Sequence, residues 1–311
     1  RTPMLRLVRP NASIDPDLQR RVLAIGNFDG VHLGHRHLLE QLRRMAVEHQ
    51  SQPLLVTLDP PPLHWLAPDR CPKPLTTLAR RAKLAEEAGV GDTVALVTSP
   101  DLLQMEAEAF FEKVILEKFQ AIGLVEGPNF HFGKDRRGTP ELLGQWCKGR
   151  GLALGIIERQ GEAGQMISSS RIRQALGEGK IESANHWLGY SYRLEGKVAA
   201  GARRGRQLGF PTANMSEVPV LIPAEGVYAG HATTVMGTYP SAIHIGPNPT
   251  FGDQDRKIEV HLLGFQGDLY GQTIAVDLVA RLRGIVRFED AAALQKQLQH
   301  DIHLAKELLR R

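Results

Sequence analysis

Between Arg21 and about Ile157, short apolar runs alternate with stretches of helical period, and this alternation leaves the first half of the chain few folds to choose from. The runs Val22–Ile25, Leu54–Leu58, Val94–Val97, Ile122–Val125 and Leu152–Ile156 read as strands, with helical segments near Gly34–Glu48, Thr77–Ala88, Glu106–Lys118 and Pro140–Gly149 between them. Strands joined through helices pair in parallel, and a parallel sheet is covered on both faces, so an α/β domain with a Rossmann-like sheet is expected. Ligands of such sheets bind beyond the carboxyl ends of the strands. The Pro-rich loop Asp59–Pro74 leaves one of these ends, and its prolines predict no regular structure there.

The turn after the first run is Gly26-Asn27-Phe28-Asp29-Gly30-Val31-His32-Leu33-Gly34-His35. A helix starting there, with Leu38, Leu39, Leu42, Met45 and Ala46 on its period, offers backbone N–H groups and the positive end of its dipole to a phosphate. His32 and His35, three residues apart, direct their ring nitrogens into the same space. Such a pair also suits a metal or plain surface positions, but no acidic residue stands at HExxH spacing, and Gly34 admits a ligand close to the backbone. The glycines at 26, 30 and 34 miss the GxGxxG pattern, which disfavours hydride transfer.

After Ser168-Ser169-Ser170-Arg171-Ile172-Arg173 come two short helical stretches, ending near Trp187. From Tyr190 the pattern changes. Tyr190–Ala199, Val227–Thr234, Tyr239–Ile245, Ile258–Phe265 and Thr273–Leu282 read as strands without helices between them, which predicts a small antiparallel barrel or sandwich. A terminal amphipathic helix carries Leu294, Leu298, Ile302, Ala305 and Leu309 on one stripe. Two domains are expected, 1–188 and 189–311.

Three further stretches carry chemistry. Consecutive hydroxyls at a helix start, as in Ser168, Ser169 and Ser170, are ordinarily caps, yet with Arg173 as a bidentate clamp they suit the outer phosphates of ATP. The loop Gly127–Gly138 sets Asn129, Phe130, Phe132 and Gly133 beside Lys134, Arg136 and Arg137, which describes either a loop packed by its own Phe residues or a pocket for a planar ring carrying a phosphate. In the run Gly196–Asn214, Gly201, Gly205 and Arg206 are placed to wrap and neutralise phosphates, while Thr212 and Asn214 offer hard neutral oxygens to Mg²⁺. A nucleic-acid surface is the alternative for its arginines, but it calls for interleaved aromatics and the close one is Phe210. Glu259 is the best general-base candidate of the second half.

Composition excludes more than it selects. Lys plus Arg number 38 against 34 for Asp plus Glu, a net charge of +4 that does not by itself point to nucleic acid. Cys71 and Cys147 stand apart with no CxxC pair, as expected of reduced thiols in a cytoplasm. No apolar stretch approaches membrane-spanning length, and Arg1 to Asn11 lack the apolar core of a secretion signal, so a cytoplasmic protein without membrane partners is expected.

With its HxGH turn and ISSSRIR segment, the first half resembles the nucleotidylyltransferase superfamily. GNFDGVHLGH, NFHFG with Arg-Arg-Gly following, ISSSRIR, GRQLGFPTAN, GVYAG, IGPNPTF, EVHLL and DLYG occur in the order found in the bacterial bifunctional riboflavin kinase/FMN adenylyltransferases, or FAD synthetases, and nearly the whole chain resembles that family. The resemblance implies a nucleotidylyltransferase-type sheet that transfers AMP from ATP to FMN, giving FAD and pyrophosphate, and a barrel that phosphorylates riboflavin at its ribityl 5′-hydroxyl. It implies that His32 and His35 stabilise charge on the ATP phosphates, that Gly26, Asn27, Phe28, Asp29, Gly34, Ser168, Ser169, Ser170 and Arg173 bind the nucleotide, and that Asn129 with its loop faces FMN. In the barrel it implies Thr212 and Asn214 at Mg-ATP and Glu259 as base. Leu58-Asp59-Pro60-Pro61-Pro62 departs from the family's Phe-Glu-Pro-His-Pro and lacks its His, Gly264 replaces a common Asp, and Ser170 replaces a Thr while keeping the hydroxyl. A chain with one activity retained, its other half only binding flavin or nucleotide, is the alternative.

Overall fold

The computed structural model describes residues 4–158, 161–162, 165–199, 212–247 and 256–310. The chain folds as two compact units, one of Arg1–Pro72 with Thr76–Ser168 and the other of Lys73–Leu75 with Ser169–Arg311.

In the first unit, β1 (Met4–Val8), β2 (Val22–Gly26), β3 (Pro53–Asp59), β4 (Asp92–Val97), β5 (Gly123–Glu126) and β6 (Ala153–Ile156) form one parallel sheet in the order β1-β4-β3-β2-β5-β6. The five predicted strands are β2 to β6. The half-exposed edge strand β1, with Leu7 pointing to solvent, lacks the continuous apolar run that marks them. Helix Leu33–Glu48 buries Leu39, Leu42 and Ala46 at helical spacing, and helix Pro140–Arg150 is bounded by the Thr139 cap and by Gly151 at φ 69°. The predicted helix over Glu106–Lys118 starts as an α-helical turn at Ala107–Phe110 and widens to π geometry over Phe111–Lys118. The Asp59–Pro74 loop is not devoid of regular structure: it contains a helical turn, Leu63–Leu66, and a 3₁₀ turn, Pro68–Arg70. The expectation fails because proline at the N-terminal edge of a turn loses no hydrogen bond: Pro62 stands at the N-cap of the first turn and Pro68 opens the second.

From β2 the chain moves outward one way through β3 and β4, then returns to the other side with β5 and β6. The sheet therefore reverses its winding beside β2, the place where α/β sheets hold ligands. There β2 and β5 register at Val22 with Gly123 and Leu23 with Leu124, and two residues further the Glu126 Oε1 accepts the Ile25 N–H at 2.8 Å. A short antiparallel pair, β7 (Gly161–Glu162) and β8 (Gln165–Met166), precedes the second unit.

The second unit begins with helices Ser169–Gly177 and Ile181–Leu188. Its strands β9 (Tyr192–Ala199), β10 (Ala213–Ser216), β11 (Gly226–Thr234), β12 (Gly237–Gly246), β13 (Lys257–Leu262) and β14 (Thr273–Arg283) close into an antiparallel barrel, order β10-β13-β12-β11-β14-β9. Alternate residues fill it, among them Leu194, Tyr228, Ile243, Val260 and Val276, all fully buried. The terminal helix Ala291–Leu309 docks through its predicted stripe and through Asp301, 2% exposed, which accepts from Arg283 Nη2 at 2.7 Å.

Candidate functional site

The turn leaving β2 starts its helix on a histidine. His32 is the N-cap of Leu33–Glu48, and its Nδ1 accepts the His35 N–H at 3.3 Å. An imidazole whose Nδ1 accepts carries its proton on Nε2, so this ring presents a donor, the form suited to a phosphate oxygen. The His32 and His35 rings stack at 3.7 Å with 15° between their planes, which brings the two nitrogenous edges together as the spacing predicts. Gly34 permits this close packing, since a Cβ there would lie 3.2 Å from the His32 ring and 3.7 Å from the Ile167 carbonyl oxygen. Asn27 points outward, Gly26 is half-buried, and Phe28 and Asp29 turn inward, 4% and 7% exposed.

The turn is held from beneath. Asp29 Oδ1 accepts from the Thr76 N–H at 3.1 Å, from the Thr76 hydroxyl at 3.1 Å and from Arg81 Nη2 at 3.3 Å. Thr76 Oγ1 in turn accepts the Gly30 N–H at 3.1 Å. Arg81 Nη1 donates to Thr57 Oγ1 at 2.7 Å, and that hydroxyl donates to the Asn27 carbonyl at 2.9 Å. Phe28 at φ 45° and Val31 at φ 36° occupy the left-handed region, which a β-branched side chain rarely enters and which costs roughly 1–3 kcal/mol per residue. Thr57, Thr76 and Arg81 escaped the sequence reading. The visible signal is that Arg81 shares the buried face of helix Leu78–Glu87 with Ala82 and Ala85.

The ISSSRIR segment opens helix Ser169–Gly177, with Ile172 buried beneath it. Ser168 belongs to the first compact unit and Ser169, Ser170 and Arg173 to the second. Arg173 Nε donates to the Lys73 carbonyl at 3.1 Å, and Arg171 lies over the Trp187 ring at 3.9 Å. In the loop after β5, Asn129 is exposed and Phe130 half-buried, but Phe132 is 6% exposed and sits in the core against Phe110, Phe130 and Trp146. Gly133 has φ +72° and runs so close to Ala107 that a Cβ would stand 2.5 Å from its Cα. Of the residues expected to face flavin, Phe132 and Gly133 thus shape the loop, and Asn129 and Phe130 are the ones presented near its surface.

In the barrel, Gly201, Gly205 and Arg206 lie outside the described residues. Thr212 immediately precedes β10, and Asn214 lies on that strand rather than in a loop. The ladder sets Asn214 directly opposite Glu259, and Glu259 opposite His244. Met215, Ile258 and Val260 point into the barrel, so Asn214 and Glu259 share its outer face as a cross-strand pair. Residues 45 positions apart in sequence are neighbours here only because of that register. His244 was not anticipated, and its Nε2 lies 3.1 Å from the Pro247 carbonyl oxygen.

Among the described residues no group of three or more His, Cys, Asp and Glu is arranged to hold a metal, and no helix is long and apolar enough to cross a membrane. A family model described as FAD synthetase matches residues 14–171, and one described as riboflavin kinase matches residues 188–309. The bifunctional riboflavin kinase/FMN adenylyltransferase of Pseudomonas fluorescens is 33% identical over 98% of this chain and 98% of its own. The protein of that name from Escherichia coli K12 is 33% identical over 92% of each. A crystal structure from Streptococcus pneumoniae, described as a macrolide-efflux protein, superposes with a TM-score of 0.86 at 27% identity, covering 96% of this chain and 98% of that one. Both halves being matched in order and along nearly their full length, the chain belongs to the bifunctional riboflavin kinase/FMN adenylyltransferase family.

Proposed function

We propose that the adenylyltransfer to FMN is carried by His32 and His35 with Ser168, Ser169, Ser170 and Arg173, and the phosphorylation of riboflavin by Glu259 with Thr212 and Asn214. The enzyme itself phosphorylates riboflavin to FMN and adenylylates FMN to FAD, with ATP as the donor in both steps. In the second step an FMN phosphate oxygen forms a bond to the α-phosphorus of ATP while the bond to the β-phosphate bridging oxygen breaks, and pyrophosphate departs. Negative charge grows on that departing group, so the residues act as donors and cations held in place rather than as nucleophiles. The observation that supports this most directly is the Nδ1 cap of His32, which sets the ring's proton on Nε2 at the start of the helix that follows β2.

In the first step the ribityl 5′-hydroxyl attacks the γ-phosphorus, ADP leaves, and Glu259 takes the hydroxyl proton. Its base role rests on its place opposite Asn214 on the outer face of the barrel. Thr212 and Asn214 suit Mg²⁺ as a hydroxyl and an amide oxygen, a hard and uncharged donor set that leaves the remaining positions to water and phosphate. A bound Mg²⁺ would neutralise charge on the transferred phosphates. Asn129 and Phe130 face the flavin ring in the adenylyltransfer step, with functional domains at 1–188 and 189–311. A cytoplasmic setting accords with the unbonded Cys71 and Cys147, and the outer face of the barrel is assigned to nucleotide and flavin rather than to nucleic acid.

Chromatography of flavin products tests the division. His32→Ala is expected to stop FAD formation while FMN accumulates from riboflavin and ATP, and Asn214→Ala to block FMN formation while leaving FMN-to-FAD conversion. Loss of both steps in either variant would overturn the two-site assignment.

A further inference from the structure

Asp29 stands in the middle of the phosphate turn, yet a carboxylate there would repel the triphosphate if it faced it. It faces the other way. Its side chain is 10% exposed, and one oxygen gathers the Thr76 N–H, the Thr76 hydroxyl and the Arg81 guanidinium. Arg81, its side chain 7% exposed, reaches the turn at two places: Asp29 directly, and the Asn27 carbonyl through Thr57. The turn so gripped includes two residues in the left-handed region, Phe28 and Val31, on either side of Asp29 and just before His32. Strain of this kind persists only where the surroundings over-determine the backbone, and here the surroundings are a planar cation with a fork of donors, a geometry lysine cannot reproduce.

We propose that Arg81, acting through Asp29 and Thr57, is the positioning residue that holds the strained turn in the form in which the His32 ring and the helix start receive the triphosphate, and that Asp29 serves this frame rather than contacting phosphate. The inference rests on the assignment of His32 and His35 to the ATP phosphates. It divides the residues of the turn into the His32–His35 pair at the helix start, His32 itself 5% exposed, and those that brace it, and it extends the functional residues to helix Leu78–Glu87, far from any motif.

The test uses the full-length enzyme, with its riboflavin kinase activity as an internal measure of intact protein. Arg81→Met keeps the stem and removes the fork. It is expected to lower kcat/KM for ATP in adenylyltransfer by about 10²-fold, the scale of an ångström-sized misplacement, with kinase activity unchanged. Arg81→Lys should recover only part of this. Thr57→Val should also raise the KM for ATP, and the double variant should be no worse than the more severe single one, because both residues act on the same turn. A purely structural role would lower thermal stability and leave the KM for ATP unmoved in whatever protein remains folded. If Arg81→Met or Thr57→Val loses kinase activity as well, Asp29→Asn is measured in the same way, since it keeps the shape of the site. Adenylyltransfer within twofold of the parent in every one of these variants overturns the proposal. His32→Ala distinguishes this from a failure of the underlying assignment: FAD formation intact in that variant would remove the phosphate site itself, whereas His32→Ala inactive with Arg81→Met fully active would refute the bracing role alone.

Discussion

Replacing Glu126 by glutamine should stabilise the protein, and more so the higher the pH. The carboxyl is 2% exposed, and burial, opposed in part by the Ile25 N–H that it accepts at 2.8 Å, holds its pKa well above the ordinary 4.5. The folded protein therefore retains a proton that the unfolded chain releases near pH 4.5. Below that pH both states hold the proton and Glu126 exerts no pH-dependent effect. As pH rises from there toward the raised native pKa, stability falls by roughly 1 kcal/mol per pH unit. For a domain of this size that is a drop in midpoint of about 2–4 °C per unit. Glutamine keeps an oxygen for Ile25 and has no proton to lose. Thermal unfolding of the parent and of Glu126→Gln, followed from about pH 5 to about pH 9, should give curves that separate in favour of the variant as pH climbs above the ordinary carboxylate range. Glu126→Ala should instead be less stable throughout, since the Ile25 N–H is left buried without that acceptor at a cost of about 1–3 kcal/mol. Parallel curves for parent and Glu126→Gln over the whole range would refute the buried, protonated carboxyl.

Two other outcomes follow from the same packing. Cys147 is 1% exposed and burial pushes its thiol up to about 11, so an alkylating reagent near neutral pH should modify Cys71 in the native protein and reach Cys147 only on unfolding; peptide mass spectrometry showing native labelling of Cys147 would contradict this. Gly133→Ala places a Cβ 2.5 Å from the Ala107 backbone at φ +72°, and should lower the stability of the first unit by about 2 kcal/mol and raise the KM for FMN in adenylyltransfer; an unchanged KM for FMN would detach this loop from the flavin.

What could be read in advance was whatever depends on neighbours along the chain. Strands β2 to β5 announce themselves because a strand covered on both faces is apolar throughout, the part-exposed edge strand β6 because its residues are apolar all the same, and the turn at Gly26–His35 because glycine spacing and the start of a helix are local facts. Edge strand β1 escaped because it is half solvated, and β10 because Ala213–Ser216 is a short, largely polar strand inside a glycine- and arginine-rich run. Arg81 looks like one more surface cation beside Arg80 and Lys83 until the fold sets Asp29 and Thr57 against it. The Asn214–Glu259 pair was legible as two separate residues but not as a pair, since sequence alone gives no barrel register.

The Asn214–Glu259 register also decides how securely this face of the barrel is built. In an open sheet, a slip of one residue between β10 and β13 would turn Asn214 inward and part it from Glu259 at the cost of local bonds only. In a closed barrel the offsets between successive strands must sum to a fixed stagger around the ring, so a slip at one seam has to be cancelled at another or the ring cannot shut. The closure therefore acts as a proofreading step in folding: the chain that has closed has, by doing so, placed the amide and the carboxylate side by side.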